Sequence, residues 1–336
     1  MTVANRSFNS RRSMIKLCMA GLLGMSVLAE SPRVLAQQWP AKQPIRMIVP
    51  GAAGTSPDIL ARTIAKFLSE RINQSIVVVN RPGGGGNIGH AEAAKSAADG
   101  YTLLVTSDQL SINQSLFKDL KFHALESFIP VTQAIISPQV LVVPSALPVR
   151  TPRELSDYIR ARPGKLNFGS PQLGTVGHLS GELYKSGDKL DIVHVPFQGA
   201  TFALQELAAG RIEMMFVTLP PAMAFIKAGS IRPLAVSTAQ RNKAVPDVPT
   251  MQESGYSAFN YGAWQGVFAP AGTPNDIVSK LNSEINAVLA MPEAIKTLEN
   301  AGFTPVGGSS EEFRKVVADT ITRWEKVVQQ AKVKVE

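Results

Sequence analysis

The chain of 336 residues contains one cysteine, Cys18, and it falls in the first 36 residues. If that segment is removed, no thiol remains, which excludes disulfides, thiolate nucleophiles and cysteine-ligated metals. Charge is also scarce: 18 % of residues are Asp, Glu, Lys or Arg, against about 25 % in ordinary globular proteins. The four histidines, His90, His123, His178 and His194, form no His-x-x-x-His or His-Glu-x-x-His spacing, so zinc-enzyme chemistry has no motif behind it. No Gly-x-Ser-x-Gly elbow marks a serine hydrolase. The formal net charge is +8, but half of it comes from Arg6, Arg11, Arg12, Lys16 and Arg33 set against Glu30. No Lys/Arg run with interleaved aromatics follows, so a nucleic-acid surface is not expected. After the N-terminal segment the uncharged stretch Phe128–Val149 is broken by Pro130, Pro138, Pro144 and Pro148. It reads as strands and turns rather than a membrane span. With 45 % apolar residues, disorder, collagen and coiled coil are excluded, and about two domains are expected at roughly 150 residues each.

Residues 1–36 read as an export signal. A basic region ends at Lys16, and the uncharged run Leu17–Ala29 follows, shorter than the roughly 20 residues of a spanning helix. Val34-Leu35-Ala36 places cleavage before Gln37; cleavage after Ala29 is the alternative. Ser10-Arg11-Arg12-Ser13 suits the twin-arginine route, with ordinary Sec export as the other reading. Lys16 next to Leu17-Cys18 does not suit a lipoprotein box.

From Ile45 onward short β-branched runs alternate with helical ones. Strands are expected at Ile45–Val49, Ile76–Val79, Leu103–Thr106, Val140–Val143, Leu166–Gly169, Ile192–Val195, Glu213–Thr218, Ile231–Val236 and Trp264–Ala269. Helices are expected over Asp58–Arg71, Ile88–Ala98, 151–162, Val176–Lys185, Ala200–Ala209 and from the Thr273-Pro274 cap to Leu289. Thr151-Pro152-Arg153-Glu154 and Ser309-x-x-Glu312 are capping boxes. Such alternation gives an α/β fold of parallel-rich sheets with helices on both faces.

Small residues cluster where strands pass into helices: Gly51–Ser56, Gly83–Asn87, Gly169–Thr175 and Gln198–Thr201. In open parallel sheets these turns lie at the carboxyl ends of strands, where ligands bind and helix N–H groups favour anions. Four such loops over both halves point to a ligand crevice. One of them, Gly84-Gly85-Gly86-Asn87-Ile88-Gly89, matches G-x-G-x-x-G, with Asp108 19 residues after Gly89. Asn80-Arg81-Pro82 separates it from its strand, so it is read as a turn packing helix to sheet rather than as a dinucleotide site.

Nine segments, taken in order, resemble the Bug/TctC-type substrate-binding proteins of tripartite tricarboxylate transporters: Trp39-Pro40 leading to Ile45–Pro50, Asp58–Arg62, Val78–Gly83, Asp99–Leu103, His178-Leu179, His194–Phe197, Arg232–Val236, Pro246–Thr250 and Ala269–Pro274. The resemblance covers nearly all of 39–332. It implies the two-domain periplasmic binding protein fold of type 2, a Venus flytrap, with crossings near Leu141–Ser145 and Tyr261–Val267. Domain 1 would be 37–143 with 264–336, and domain 2 would be 144–263. It also implies a small carboxylate held between the domains mainly by backbone N–H groups and waters. The chain departs from the family pattern at Gly51, at Gly54-Thr55 where two glycines are usual, at Phe197-Gln198-Gly199 with Phe202, and around Val217-Thr218.

The reading that joins these observations is an exported solute-binding protein that closes on a di- or tricarboxylate, in the periplasm, as a monomer. It would need no cofactor or metal, have no catalytic residues, and serve either uptake, by handing its solute to membrane permease subunits, or sensing. The expected contacts are N–H groups of Ala53, Gly54 and Thr55, hydroxyls of Ser107, Ser170 and Thr175, and groups at His178, Gly199 and Thr201. One rival is an exported α/β enzyme acting on a small organic acid through His178 and Asp58, although Asp58 at a helix start suits capping. A binding protein for cationic solutes would want acids in these loops, and they have none.

Overall fold

In the computed structural model, which describes residues 39–331 and 333, the alternation becomes ten strands and ten α-helices. The segment read as an export signal lies outside the described residues. Strand β1 (Ile45–Val49) leads into α1 (Ser56–Ile72), β2 (Ile76–Asn80), α2 (Asn87–Ala94), β3 (Thr102–Ser107), α3 (Gln109–Leu116) and the long β4 (Phe128–Pro144). Then come α4 (Pro152–Arg160), β5 (Asn167–Ser170), α5 (Val176–Gly187), β6 (Val193–Pro196), α6 (Ala200–Ala208), β7 (Met214–Thr218), α7 (Leu219–Lys227) and β8 (Ile231–Val236). The chain ends with β9 (Gly262–Pro270), α8 (Asn275–Leu289), α9 (Pro292–Asn300), β10 (Thr304–Pro305) and α10 (Ser310–Ala331). Helices α3, α7 and α9 are too short and too mixed in pattern to stand out in the sequence. Helix α2 stops at Ala94, short of the expected Ala98, because Asp99 and Gly100 turn the chain into β3, with Tyr101 N–H donating to Asp99 Oδ1 (3.0 Å).

The sheet order is β2-β1-β3-β9-β4-β7-β5-β6, with β8 and β10 also paired to β4. The outer pairs β1–β2, β1–β3, β5–β6 and β5–β7 are parallel, and every pairing of β4 and β9 is antiparallel. Strand β4 corrects the expectation of separate strands and turns: 17 residues run unbroken through three prolines. Pro130 sits at a register shift, Pro138 is the last residue paired with β9, and Pro144 ends the strand. These are positions where a missing N–H disturbs the ladder least.

Strand β4 therefore serves two lobes. Its first part, with β1–β3, β9 and β10, carries a core of Ile45, Met47, Leu60, Ile64, Leu103 and Ile135 under α1 and α8. Its second part, with β5–β8, carries Leu141, Phe168, Leu179 and Phe216 under α5, and Val140, Leu204, Met215 and Leu219 under α6 and α7. Helix α10 spans both lobes. Phe313 and Val317 join the core around Trp264 and Phe268, whereas Trp324, Val327 and Val328 pack into the α5-covered core. The expected capping box forms at Ser309/Glu312, where each backbone N–H meets the other's side chain; at Thr151 half of it forms, with Oγ1 accepting Glu154 N–H while Glu154 Oε2 accepts Arg150 N–H (2.7 Å) in place of that of Thr151. The Thr273-Pro274 cap does not form as expected: Pro274 is the N-cap residue, and Thr273 Oγ1 donates to Pro270 C=O instead.

Candidate binding crevice

Strands β1 and β3 end toward the interlobe region, as do β5, β6 and β7, and the small-residue turns gather there. The first turn, between β1 and α1, is built around Asp58. Its carboxylate accepts Gly54 N–H (2.8 Å), Arg62 Nε (3.0 Å) and Asn80 Nδ2 (2.9 Å), and Asn80 Nδ2 also reaches Gly51 C=O (3.0 Å). Burial alone would raise this carboxyl; the hydrogen bonds from Arg62, Gly54 and Asn80 outweigh it and hold Asp58 below the usual range. Gly54 adopts φ +81°, the left-handed region that a side chain disfavours. These bonds correct one expectation. Gly54 N–H is donated to Asp58 and Thr55 N–H to Ala52 C=O (3.3 Å), so neither is free for a ligand in this conformation. Of the three, Ala53 N–H alone has no acceptor among the described residues. Thr55 caps α1 in position only: no side chain bonds to its first-turn N–H groups.

The second turn, between β5 and α5, is built around two histidines. Ser170 Oγ donates to Gln172 C=O (3.0 Å) and lies 2.8 Å from His194 Nε2. Gly174 N–H donates to His178 Nδ1 (3.1 Å). Thr175 Oγ1 donates to Gln172 C=O (2.8 Å) and caps α5 by accepting His178 N–H (3.3 Å). Gly199 N–H donates to Pro171 C=O (2.7 Å), which ties the β6–α6 turn to the same loop. The structure thus brings Ser170, Thr175, His178 and Gly199 into one cluster, but their polar atoms build the loop rather than stand open. His178 lies under the loop and is 3 % exposed. Burial depresses it to about 4 and His194 to about 3, with Lys185 adding to both and His178 adding to His194. Thr201, by contrast, is exposed in the first turn of α6, beside Phe202 at 62 %. No side chain caps that helix, and Ala203 N–H bonds Gly199 C=O, leaving the N–H groups of Ala200, Thr201 and Phe202 without acceptors among the described residues.

Ser107, at the end of β3, accepts Gln109 N–H (3.3 Å), and Gln109 Nε2 donates across the crevice to Gly174 C=O (3.2 Å). Sequence reasoning missed this link because α3 was not foreseen. It also missed a polar strip between the lobes. Along β4 the odd-numbered side chains pass from Ile135, in the core under α1, to Leu141, in the core under α5. Ser137 and Gln139 fill the interval. Gln265 of β9 lies opposite both Ser107 and Ile135. Ser137 Oγ, Gln139 Oε1 and Gln265 Oε1 are buried without a hydrogen-bond partner among the described residues. Polar residues interrupting apolar strands were the available signal. Asp108 beside them is 5 % exposed, and burial pushes its carboxyl up to about 8 against hydrogen bonds from Ser107, Trp264 and Gln109.

The chemistry of the crevice is short of charge. Its turns, 50–56, 107–109, 170–175 and 196–201, contain no Lys or Arg. A cavity of about 530 Å³ lined by Lys227, Arg241, Lys243 and Glu299 lies apart from these turns, and there Lys243 pairs with Glu299 (3.5 Å) and Arg241 with Glu253 (3.1 Å). Among the described residues, no three His, Asp or Glu side chains converge as metal ligands, and no helix is long and apolar enough to cross a membrane. The G-x-G-x-x-G segment is a tight packing turn: a Cβ on Gly89 would lie 2.8 Å from Pro50 Cα and from Arg81 C=O.

Comparison with known proteins agrees with this architecture. Residues 60–333 match the model of the family described as the tripartite tricarboxylate transporter family receptor, TctC. Protein BugT of Bordetella pertussis is 36 % identical over 305 residues, covering 90 % of this chain and 93 % of that protein. Among solved structures, Rpa4515 of R. palustris with adipate superposes with a TM-score of 0.82 at 37 % identity, covering 88 % of this chain and 99 % of that one. MatC (Rpa3494) from Rhodopseudomonas palustris with bound malate gives a TM-score of 0.78 at 30 % identity, covering 86 % and 99 %.

Proposed function

Because the chain belongs to the TctC family of tripartite tricarboxylate transporter receptors and has the periplasmic binding protein fold, we propose that it captures a small dicarboxylate between its two lobes and delivers it unchanged. The observation that carries this reading is the absence of cationic side chains from turns whose helix N-termini, at α1 and α6, keep uncapped N–H groups. Such groups favour anions through the helix dipole and directed hydrogen bonds. Ala53 N–H in lobe one and the first turn of α6 around Thr201 in lobe two are the donors for the two carboxylates. Ser107, Ser170, Thr175, His178 and Gly199 shape the wall between them. Exposed Ile88 and Phe202, in the first turns of α2 and α6, suit a ligand with a methylene middle better than a third carboxylate. The structures that hold adipate and malate give two ligands of this class to try.

We assign residues 37–143 with 264–336 to domain 1 and residues 144–263 to domain 2, hinged at β4 and at the start of β9. The change of β4 partners after Pro138 supports a crossing on this strand, with 139–143 already paired to the strands of lobe two. Segment 1–36 would direct export to the periplasm, where the monomer would present its closed form to the permease subunits. The enzyme reading loses its acid and base. Asp58 is engaged by Arg62, Gly54 and Asn80, and His178 is buried with Nδ1 occupied. Native mass spectrometry of the purified protein tests the proposal. One small organic acid per chain is expected, released chemically intact. A bound amine, or conversion of the bound acid on incubation, would refute it.

A further inference from the structure

His178 of α5 and His194 of β6 lie face to face, with ring centroids 3.8 Å apart and planes 14° from parallel; Phe168 of β5 sits 4.7 Å from His194. Each ring holds one end of the 170–175 loop. Ser170 gives its only proton to Gln172 C=O, so His194 Nε2 must donate to Ser170 Oγ. Gly174 N–H donates to His178 Nδ1, so the His178 proton resides on Nε2. The geometry therefore places a proton on Nε2 of both rings and leaves His178 Nδ1 unprotonated, so that His178 is neutral, and burial holds His194 neutral beside it. The charged groups facing the pair are Glu182, whose Oε1 is 3.9 Å from His178 Nε2, and Lys185, both on α5. The neighbours from β5 and, across the crevice, from α3 are Phe168, Gln109 and Leu116, all uncharged.

We propose that the His178–His194 stack is a positioning pair that holds the 170–175 loop in its solute-receiving shape and releases it in acid, so that solute affinity in lobe two falls as pH falls. This rests on the proposed solute-binding function. A proton on His178 Nδ1 would set a donor against the Gly174 N–H donor. That would displace a residue whose carbonyl also receives the Gln109 bond from lobe one. A proton on either ring places a charge against its stacked partner in a site that water reaches poorly. Once the loop opens, both rings return toward their ordinary value of about 6.5, so opening takes up protons and acid drives it. Burial keeps both rings neutral in the closed loop, which is what gives opening this dependence.

Long-range ¹H–¹⁵N spectra of the histidine side chains in the full chain test the pairing directly. Both rings should be in the Nε2–H form at pH 7.5 and, in the solute-free chain, take up protons together as the loop opens between about pH 6.5 and 5. An Nδ1–H form in either ring at pH 7.5, or rings that are both still neutral at pH 5.0, overturns the proposal. Calorimetry with adipate at pH 7.5 and 5.0 then compares the wild type with His178→Asn/His194→Gln, which keeps an acceptor and a donor but takes up no proton. Each protein is compared with its own affinity at pH 7.5, so that any direct loss of wall contacts in the double variant cancels. Between the two pH values the wild type should lose at least threefold more affinity than the variant; protonation of adipate itself affects both equally. Equal losses overturn the proposal. If adipate binds neither protein at pH 7.5, the adipate-class reading of function fails, and the ring spectra alone decide the pairing. If the double variant does not fold, hydrogen exchange of Gly174 in the wild type takes its place. Protection lost on acidification beyond the intrinsic rate change is expected, and unchanged protection contradicts the proposal.

Discussion

Two loops of similar composition, one in each lobe, are held in shape by opposite chemistry. The 51–55 loop of lobe one is braced by an ion: Asp58 gathers Gly54, Arg62 and Asn80. The 170–175 loop of lobe two is braced by two neutral stacked rings that gather Ser170 and Gly174. A charge-poor anion site needs rigid turns, because main-chain donors act only if they are already aimed. The comparison shows that rigidity can come from a carboxylate that stays ionised or from imidazoles that stay neutral. The first brace depends on an ion pair, and the second on pH.

The largest effect should come from breaking the ionic brace. Asp58→Ala leaves Gly54 N–H, Asn80 and Arg62 without their common acceptor, and hydrogen bonds to a charged group are worth about 1.5–3 kcal/mol each net. A stability loss of about 3 kcal/mol in urea unfolding is expected, with weaker solute binding. Next comes the neutral brace. His178→Ala strands the buried Gly174 N–H at a cost of about 1–3 kcal/mol. The wild type should also show a pH slope that this variant reduces. His178 and His194 sit near 4 and 3 in the fold against about 6.5 unfolded, so the unfolded chain binds more protons between those values. Stability should therefore fall as pH drops from about 6.5 toward 4. Asp108 works in the other direction: raised to about 8, it contributes stability in acid that is lost as pH rises toward 8. Asp108→Asn should flatten that limb of the stability profile measured between pH 5 and 9.

Gly54→Ala sharpens the comparison further. A Cβ there meets nothing within 4 Å, so the cost is backbone strain at φ +81° alone, about 1–2 kcal/mol by thermal unfolding. The smallest effect should follow Arg81→Gln. Arg81 Nε pairs with Glu92 (2.7 Å) at a half-exposed position, and such pairs contribute about 0–1 kcal/mol. Solute affinity by calorimetry should be unchanged; a large loss would place an arginine in the site after all.

Much of this was legible before any coordinates. The β-branched runs and capping boxes located most strands and the long helices, because burial and caps leave a local signature at Ile45–Val49, Thr151–Glu154 and Ser309–Glu312. Strand β4 misled because proline is read as a break, while register shifts and a change of partner let it absorb Pro130 and Pro138. In the crevice, sequence pattern found the correct turns but not who uses each N–H. That depends on Asp58 reaching back to Gly54 and on His194 lying over His178, contacts between residues whose proximity only the fold creates. The polar strip at Ser137, Gln139 and Gln265 leaves a trace as polar residues in apolar strands, but their meeting between the lobes depends on the fold as well.

The most direct test of the central claim, that paired carboxylates are held by main-chain donors from both lobes, is calorimetric titration at pH 7.5 with adipate and malate beside their uncharged diamides. The account predicts one-to-one binding of at least one diacid and no measurable heat from either diamide. Binding of a diamide as tightly as its diacid would contradict it.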